Sequence, residues 1–451
     1  MKGLMKIVAL VLTLVLTIGV FAGCGNSQTS SENQETTNSE SETQDGETQD
    51  DAEEPIELTM MIDSNSSQVG VKKVIELAEE KLNLKITTEV GPGGLEGDNY
   101  VKTRLASGEM TDLVVYNSGA LLTALNPEQY FIDISKEEFA EKLDDTYKES
   151  VSINGATYGI PYSSTQAGAI LYSKPIYEEL GLEVPNTWDE FIANCEAIKA
   201  SGKTALYGAF GDGWTTQLLY LGDHYSVASA DPNFASGFEE GNVKYATHEA
   251  GLRSWEKLQE TIPYYNEDNF AATYDDGCDI IANAEAGHWV MLTQALTNIH
   301  ELYGDQVNDI GVFGIPNDNP DDLGLTIWMP MSIYGNKTSE KEDAILKFME
   351  FYISDEALDA YAAEILPDGP YAVKGYEIPE NAYEAVRIDM QKYFDDGKIE
   401  SALEFQTPIK GPNCQPITQE VVAGQTTALE AAAAYDDDCL KQAVQLGFDW
   451  E

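Results

Sequence analysis

Arginine is nearly missing from this chain: Arg104, Arg253 and Arg387 are the only three in 451 residues. Bidentate clamps on phosphate or carboxylate groups lean on arginine, so a strongly anionic ligand is disfavoured. Positive charge is scarce altogether, with 26 basic residues against 78 acidic ones and a formal net charge of -52. A phosphate backbone would be repelled, which excludes nucleic acid as a partner. Five cysteines at this length do not make a disulfide scaffold. Beyond the N-terminal run no stretch approaches the apolar length of a membrane span. The four histidines, His224, His248, His288 and His300, fall at no metal-ligand spacing. Gly202-Lys203-Thr204 is no P-loop, because Ala197 stands where the first glycine must be. There is no G-x-S-x-G elbow, and Asp318 to Asp322 lacks the glycine and distal glutamate of a calcium loop. No cofactor or metal is expected.

What is present fits a folded, multi-domain protein. The hydrophobic fraction is 43%, which excludes wholesale disorder despite the charge. At this length one core normally stops growing, so two or more domains are expected.

The first 55 residues supply an address. Met1 to Lys6 carries two lysines, and Ile7 to Val20 is a run of 14 residues without charge. That run is too short to span a membrane comfortably and reads as a secretory signal over residues 1–23. Phe21-Ala22-Gly23-Cys24 resembles a bacterial lipobox, with Phe21 where the pattern prefers Leu, which implies cleavage before Cys24 and lipid on its thiol. Residues 24–54 then read as a disordered tether. Between Gly25 and Glu54 there are ten acids, no base, and only Ala52 from the hydrophobic class, too little to fold. As a flexible coil it spans roughly 30 Å, more with self-repulsion. From Pro55 onward 68 acids face 24 bases, so the body keeps a charge near -44. The expected location is the outer face of the cell membrane of a Gram-positive bacterium, held there by lipid alone.

Strand and helix signals alternate along the body. Ile56 to Ile62 has strand length and composition. The loop Asp63 to Ser67 follows, then a helix with Val71, Val74, Ile75, Ala78 and Leu82 on one stripe. Leu84 to Val90 alternates as a strand, Val101 to Ala106 is helical, and Asp112 to Tyr116 is a strand ending at Asn117-Ser118-Gly119. Such repetition predicts an α/β fold with largely parallel sheets flanked by helices. Ligands in these sheets sit where strands lead into helices. The small polar residues of both loops suit hydroxyl recognition, and helix capping would select them equally well. Between Pro161 and Gly168 lies a polar run without helical period. Thr187 to Glu190 is a capping box, opening a helix whose Phe191, Ile192, Cys195 and Ile198 share a face, so Cys195 is expected in the core. Pairing among Cys278, Cys414 and Cys439 stays open.

These segments together resemble the family 1 extracellular solute-binding proteins of ABC importers, the maltose-binding-like group. Arg104 to Leu113 resembles that family's A-x-G-x-x-P-D-hydrophobic signature, with Thr111 where proline is usual. Tyr158-Gly159-Ile160-Pro161-Tyr162 and Leu171-Tyr172-Ser173-Lys174 are similar to its crossing between lobes, with Ser173 for the usual Asn. Leu180 to Phe191 and Glu285 to Met291 resemble further blocks in the family's order. The resemblance implies a two-lobed, type II periplasmic-binding-protein-like fold. Its first lobe would comprise 55–162 plus 327–376 and its second 163–326 plus 377–451. Solute would lie in the cleft, with the lobes hinging shut around it and a membrane permease as the partner; a monomer and no enzymatic step are expected.

A sugar cleft needs aromatic platforms beside short polar side chains, because sugars present apolar faces and hydroxyl rims. Trp214, in the glycine-rich Gly211 to Gln217, is one candidate platform, since the family has ligand-facing aromatics there. Trp328, in Leu325 to Pro330, is the other, on what should be the strand returning to the first lobe. Carried over by segment, Asp63, Asn65 and Asn117 would be first-lobe contacts. Ser164, Gln166 and Gln294 would face the cleft from the crossing and the second lobe, and Asn413 would join from a loop before the last helices. The implied solute is a neutral oligosaccharide. A polyamine or peptide on the same fold stays open because of the acidity, as does a secreted glycan hydrolase. Two positioned acids suffice for that chemistry, but 78 acids make chance pairs uninformative.

Overall fold

A computed structural model describes residues 54–64, 66–92 and 94–450. The expectations on the signal peptide, on Cys24, on nearly all of the tether and on Asn65 lie outside the described residues. The strands, in chain order, are β1 (Ile56–Asp63), β2 (Leu84–Gly91), β3 (Leu113–Tyr116), β4 (Ser152–Ile153), β5 (Ala156–Thr157), β6 (Gly159–Pro161), β7 (Gln166–Ser173), β8 (Thr204–Tyr207), β9 (Ala286–Leu292), β10 (Ile310–Phe313), β11 (Leu325–Trp328), β12 (Ser332–Gly335) and β13 (Ile399–Ser401).

Two sheets organise the body, each at the centre of one lobe. The first has the order β2-β1-β3-β12-β6, and the second β13-β11-β7-β9-β8 with β10 also on β7. β1 pairs in parallel with β2 along its whole length, Ile56 with Leu84 through Asp63 with Gly91. β3 is parallel to β1 on the other side. The helix Val69–Leu82 covers this half, burying Val71, Val74, Ile75 and Ala78 as the 3.6-residue stripe requires. Asn83 ends it in the left-handed conformation, φ 53°, which Asn tolerates better than most residues. The helices Glu342–Tyr352 and Asp355–Glu364 pack on it from the far end of the chain.

The sheets are mixed, where the sequence pattern suggested mostly parallel ones. β12 runs antiparallel to both β3 and β6, and β7 runs antiparallel to β9, β10 and β11. The two strands that follow a crossing between lobes, β7 and β12, each run against all of their sheet neighbours. β7 is buried along its length except at Gln166, and so reads as an unbroken apolar run.

Leu325–Trp328 differs from expectation. Its hydrogen bonds place it in the second sheet, with Thr326 opposite Gly168 and Trp328 opposite Gln166, while β13 pairs in parallel on its other side. The strand that returns to the first sheet is β12, so this crossing falls at Met329-Pro330-Met331. The crossings lie side by side. Tyr162 N donates to Met331 O at 2.8 Å. Thr165 donates to Pro370 O from its backbone N at 2.9 Å and from its Oγ1 at 2.7 Å.

The Thr187–Glu190 capping box forms as the sequence predicts, and Cys195 on that helix is fully buried. Cys278, Cys414 and Cys439 are buried free thiols, so none of the open pairings is made. Deep in the second lobe Lys257 Nζ meets Asp223 Oδ1 at 2.7 Å, with both side chains essentially inaccessible, 0% and 1% exposed. Ser254 and Ser226 donate their hydroxyls to the same carboxylate at 2.7 and 2.8 Å. No described helix is long and apolar enough to cross a membrane.

Candidate functional site

The crossings form the floor of a cavity of about 810 Å³ between the sheets. The loops that follow β1 and β3 give it one wall, through Ser66, Ser67, Asn117 and Ser118. Those are the carboxyl ends of parallel strands, where open α/β sheets bind ligands. Tyr162 at the first crossing braces this wall, its hydroxyl donating to Ser67 O at 2.6 Å. The opposite wall comes from the second lobe: Tyr274, Gln294 and Asn298, and then Glu404 and Lys410 from the chain beyond β13.

Trp328 dominates the floor. Its ring lies directly on Gly168 of β7, where a Cβ would sit 2.2 Å from ring atom Cζ3. Only glycine permits that approach, so the six-membered part of the indole packs closely against the strand. Its indole Nε1 donates to Glu404 Oε1 at 2.7 Å, and Glu404 Oε2 is ion-paired with Lys410 Nζ. Burial alone would lower the Lys410 pKa, but Glu404 beside it prevails and holds it above the ordinary value. Trp328 is partly exposed, packed against Gly168 and tethered through its Nε1, with surface left to the cavity. That arrangement makes a rigid apolar platform ringed by amides and hydroxyls, suited to a flat, hydroxylated solute.

Asp368 is the other charged group on the floor. Ser164 Oγ donates to its Oδ1 at 2.7 Å and Gln166 Nε2 to its Oδ2 at 3.2 Å. Burial pushes its pKa up to about 6, partly offset by those donors. Among the described residues no group of three or more His, Cys, Asp or Glu side chains is placed to hold a metal ion.

Of the residues singled out from sequence, the structure gathers Asn117, Ser164, Gln166, Gln294 and Trp328 on the cavity wall. Asp63 ends β1 close by, but its loop contributes Ser66 and Ser67 to the wall instead. Trp214 lies off the wall. It packs on the ring of Tyr274 with centroids 5.8 Å apart, and Tyr274 is the aromatic that lines the cavity. Gly213 explains the placement: it rests against Gln415 and Gln419, which draws this loop onto the helix Cys414–Val422. Asn413 is also elsewhere, its backbone N and Nδ2 both donating to Asp438, at 2.8 and 2.7 Å. Sequence reasoning missed Asp368, Glu404, Lys410 and Tyr274. Only Tyr274 had an available signal, since Thr273 and Asp276 form a capping box around it.

The lobes also touch across the mouth. Gly119, after β3, lies against Phe405 of the short helix Leu403–Gln406, and a Cβ at 119 would stand 2.8 Å from Phe405 Cα. Gly119 has φ 64° and ψ -134°, backbone angles open essentially to glycine alone.

Residues 64–359, well over half of the chain, match the family described as bacterial extracellular solute-binding protein. The chain belongs to that family. Among curated relatives of this solute-binding protein, the multiple sugar-binding protein of Streptococcus mutans is 26% identical over 333 residues, covering 69% of this chain and 74% of its own. Among solved structures, ligand-free RafE from Streptococcus pneumoniae superposes with a TM-score of 0.72 at 19% identity, over 86% of this chain and 98% of that one. A chitin oligosaccharide binding protein gives 0.71 at 18% identity, over 87% of this chain and all of that one. These likenesses establish the two-lobed, type II α/β fold of this solute-binding protein. The cavity described above lies in its interlobe cleft.

Proposed function

We propose that this solute-binding protein is the carbohydrate receptor of an ABC importer. It captures a neutral oligosaccharide in the interlobe cavity, closes on it and presents the closed form to a membrane permease. The observation that carries this reading is the Trp328 platform, seated on Gly168 and held at its edge by Glu404, within a rim of side-chain amides and hydroxyls. A volume of about 810 Å³ is toward the upper end of small-molecule sites, and relatives named for binding sugars support the same class. Closure follows from contacts made to both lobes at once, so solute shifts the population toward the shut form. On this reading Asn117, Ser164, Gln166 and Gln294 meet sugar hydroxyls, Trp328 and Tyr274 meet apolar sugar faces, and no bond in the solute is broken.

The deciding experiment is calorimetry or thermal melting with a panel of neutral mono- and oligosaccharides. A true ligand at 100 times its Kd should raise unfolding free energy by about 2.7 kcal/mol. A shift with a polyamine or peptide and with no sugar would leave the fold standing and remove the carbohydrate assignment; product release from an oligosaccharide would revive a hydrolase. The receptor is further proposed to work as a monomer on the extracellular face of the cell membrane, anchored by lipid on Cys24. Cys24→Ala should move it from the membrane fraction of cells to the medium, and continued membrane retention would refute the anchor.

A further inference from the structure

We propose that Asp368 is the charge filter of the cleft, admitting sugars that offer hydroxyl or ammonium donors and excluding those that carry a carboxylate. This rests on the carbohydrate reading of the same cavity and narrows its substrate class.

Among the described residues three formally charged side chains line the cavity: Asp368, Glu404 and Lys410. Glu404 and Lys410 neutralise each other. Asp368 has no cation within ion-pairing distance among the described residues; its partners are the neutral Ser164 and Gln166. The other titratable groups close enough to feel it are the phenols of Tyr274, Tyr361, Tyr371 and Tyr383, all pushed upward in pKa by burial first and by the Asp368 charge in addition. None of them supplies positive charge, and among the described residues no arginine lines the wall. The wall therefore carries one net negative charge at neutral pH, on a carboxylate whose bonds to Ser164 and Gln166 leave acceptor capacity for a solute. A sugar hydroxyl donates to such an oxygen in a charge-assisted bond. A solute carboxylate finds like charge in a partly desolvated place and no donor cation to offset it.

Position gives the filter leverage. Asp368 is bonded to Ser164 and Gln166, and its neighbour Pro370 accepts from Thr165, so the group that meets the solute belongs to the bundle of crossings about which the lobes turn. A solute repelled there is repelled from the floor on which closure depends.

The test uses the purified protein, the neutral sugar that binds best in the panel, and the same sugar oxidised at C6 to its uronate. A like charge about 8 Å away in a medium of effective dielectric about 20 should disfavour the uronate roughly thirtyfold. In Asp368→Asn, checked for an unchanged melt, that ratio should collapse toward one, with the neutral sugar itself binding about tenfold more weakly. A second arm needs no variant. Lowering the pH from about 7.5 to about 5.5 protonates much of Asp368 while the uronate stays ionised, so the wild-type ratio should narrow. Equal binding of both sugars by the wild type, or a ratio unmoved both by Asp368→Asn and by pH, overturns the filter and leaves the carbohydrate reading intact. Should Asp368→Asn bind neither sugar, the pH arm decides. If no sugar binds the wild type, the carbohydrate reading fails, and the filter with it.

Discussion

Replacing Trp328 by alanine should weaken binding of the solute at least about thirtyfold, roughly 2 kcal/mol, while the protein stays folded. Buried aromatic anchors at the centre of a site commonly cost this much on truncation, and Trp328 has the required rigidity. Gly168 packs closely against the six-membered part of the ring and Glu404 holds its N–H, so little freedom is lost when a sugar ring settles on it. Part of the residue's surface is exposed in the unliganded form, so its removal opens no sealed core cavity and stability should fall less than for a fully buried Trp. Trp328→Phe separates two contributions. It keeps an apolar face but loses the N–H to Glu404, so its affinity should fall between wild type and Trp328→Ala. Trp214→Ala, which reaches the cavity only through Tyr274, should be the mildest. Titration calorimetry on the three variants checks the order, and an unchanged Kd for Trp328→Ala removes the platform from the site.

The second large effect is on folding rather than binding. Lys257→Met should lower unfolding free energy by about 3–5 kcal/mol, because it leaves Asp223 ionised and buried without a cation. Ser226 and Ser254 still donate to that carboxylate, but neutral donors do not replace a full positive charge. The ammonium also stands 5.5 Å from the centroid of the Trp188 ring, a smaller attraction lost at the same time. Replacing both partners, Asp223→Leu with Lys257→Met, should recover much of the loss, since apolar substitutes remove the desolvation cost of both ions. Neither residue lines the cavity, so solute affinity should be unchanged in the variants at temperatures where they remain folded. Urea unfolding reads the first expectation and calorimetry the second. A single variant as stable as wild type would mean water reaches Asp223.

How far sequence reasoning reached depends on which physical signal each residue carried. The strand–helix alternation through Tyr116, the capping box at Thr187 and the buried face of the helix it opens were legible because periodicity and capping are local. Trp328 was legible as a cleft aromatic but not as a second-lobe residue. Its strand pairs with Gln166 to Gly168, far away in the chain, and no local pattern names a partner. Trp214 and Tyr274 pack on each other, each at the start of a helix; which ring lines the cavity is decided by how Gly213 seats against Gln415, a tertiary fact. Asp368 and Glu404 were hidden by abundance. Among 78 acids the two that matter to the cavity carry no mark until Ser164, Gln166, Trp328 and Lys410 are seen beside them. The mixed sheet orientation was missed for a related reason, since a strand's direction in a sheet depends on the side from which the chain returns.

That return has a consequence for synthesis. β12 lies between β3 and β6 in the first sheet, yet it follows them by more than 150 positions in the chain. As the polypeptide emerges from its N-terminal end, β1, β2 and β3 can associate early, but β6 has nothing to pair with until Ser332 to Gly335 arrives. The second sheet waits longer, for Ile399 to Ser401 beside β11. Neither lobe can be finished in isolation, and loop-closure entropy makes such distant pairings slow. The chain therefore spends its folding time with an open sheet edge exposed, and a fragment ending before about residue 330 should be prone to aggregation rather than a stable first lobe.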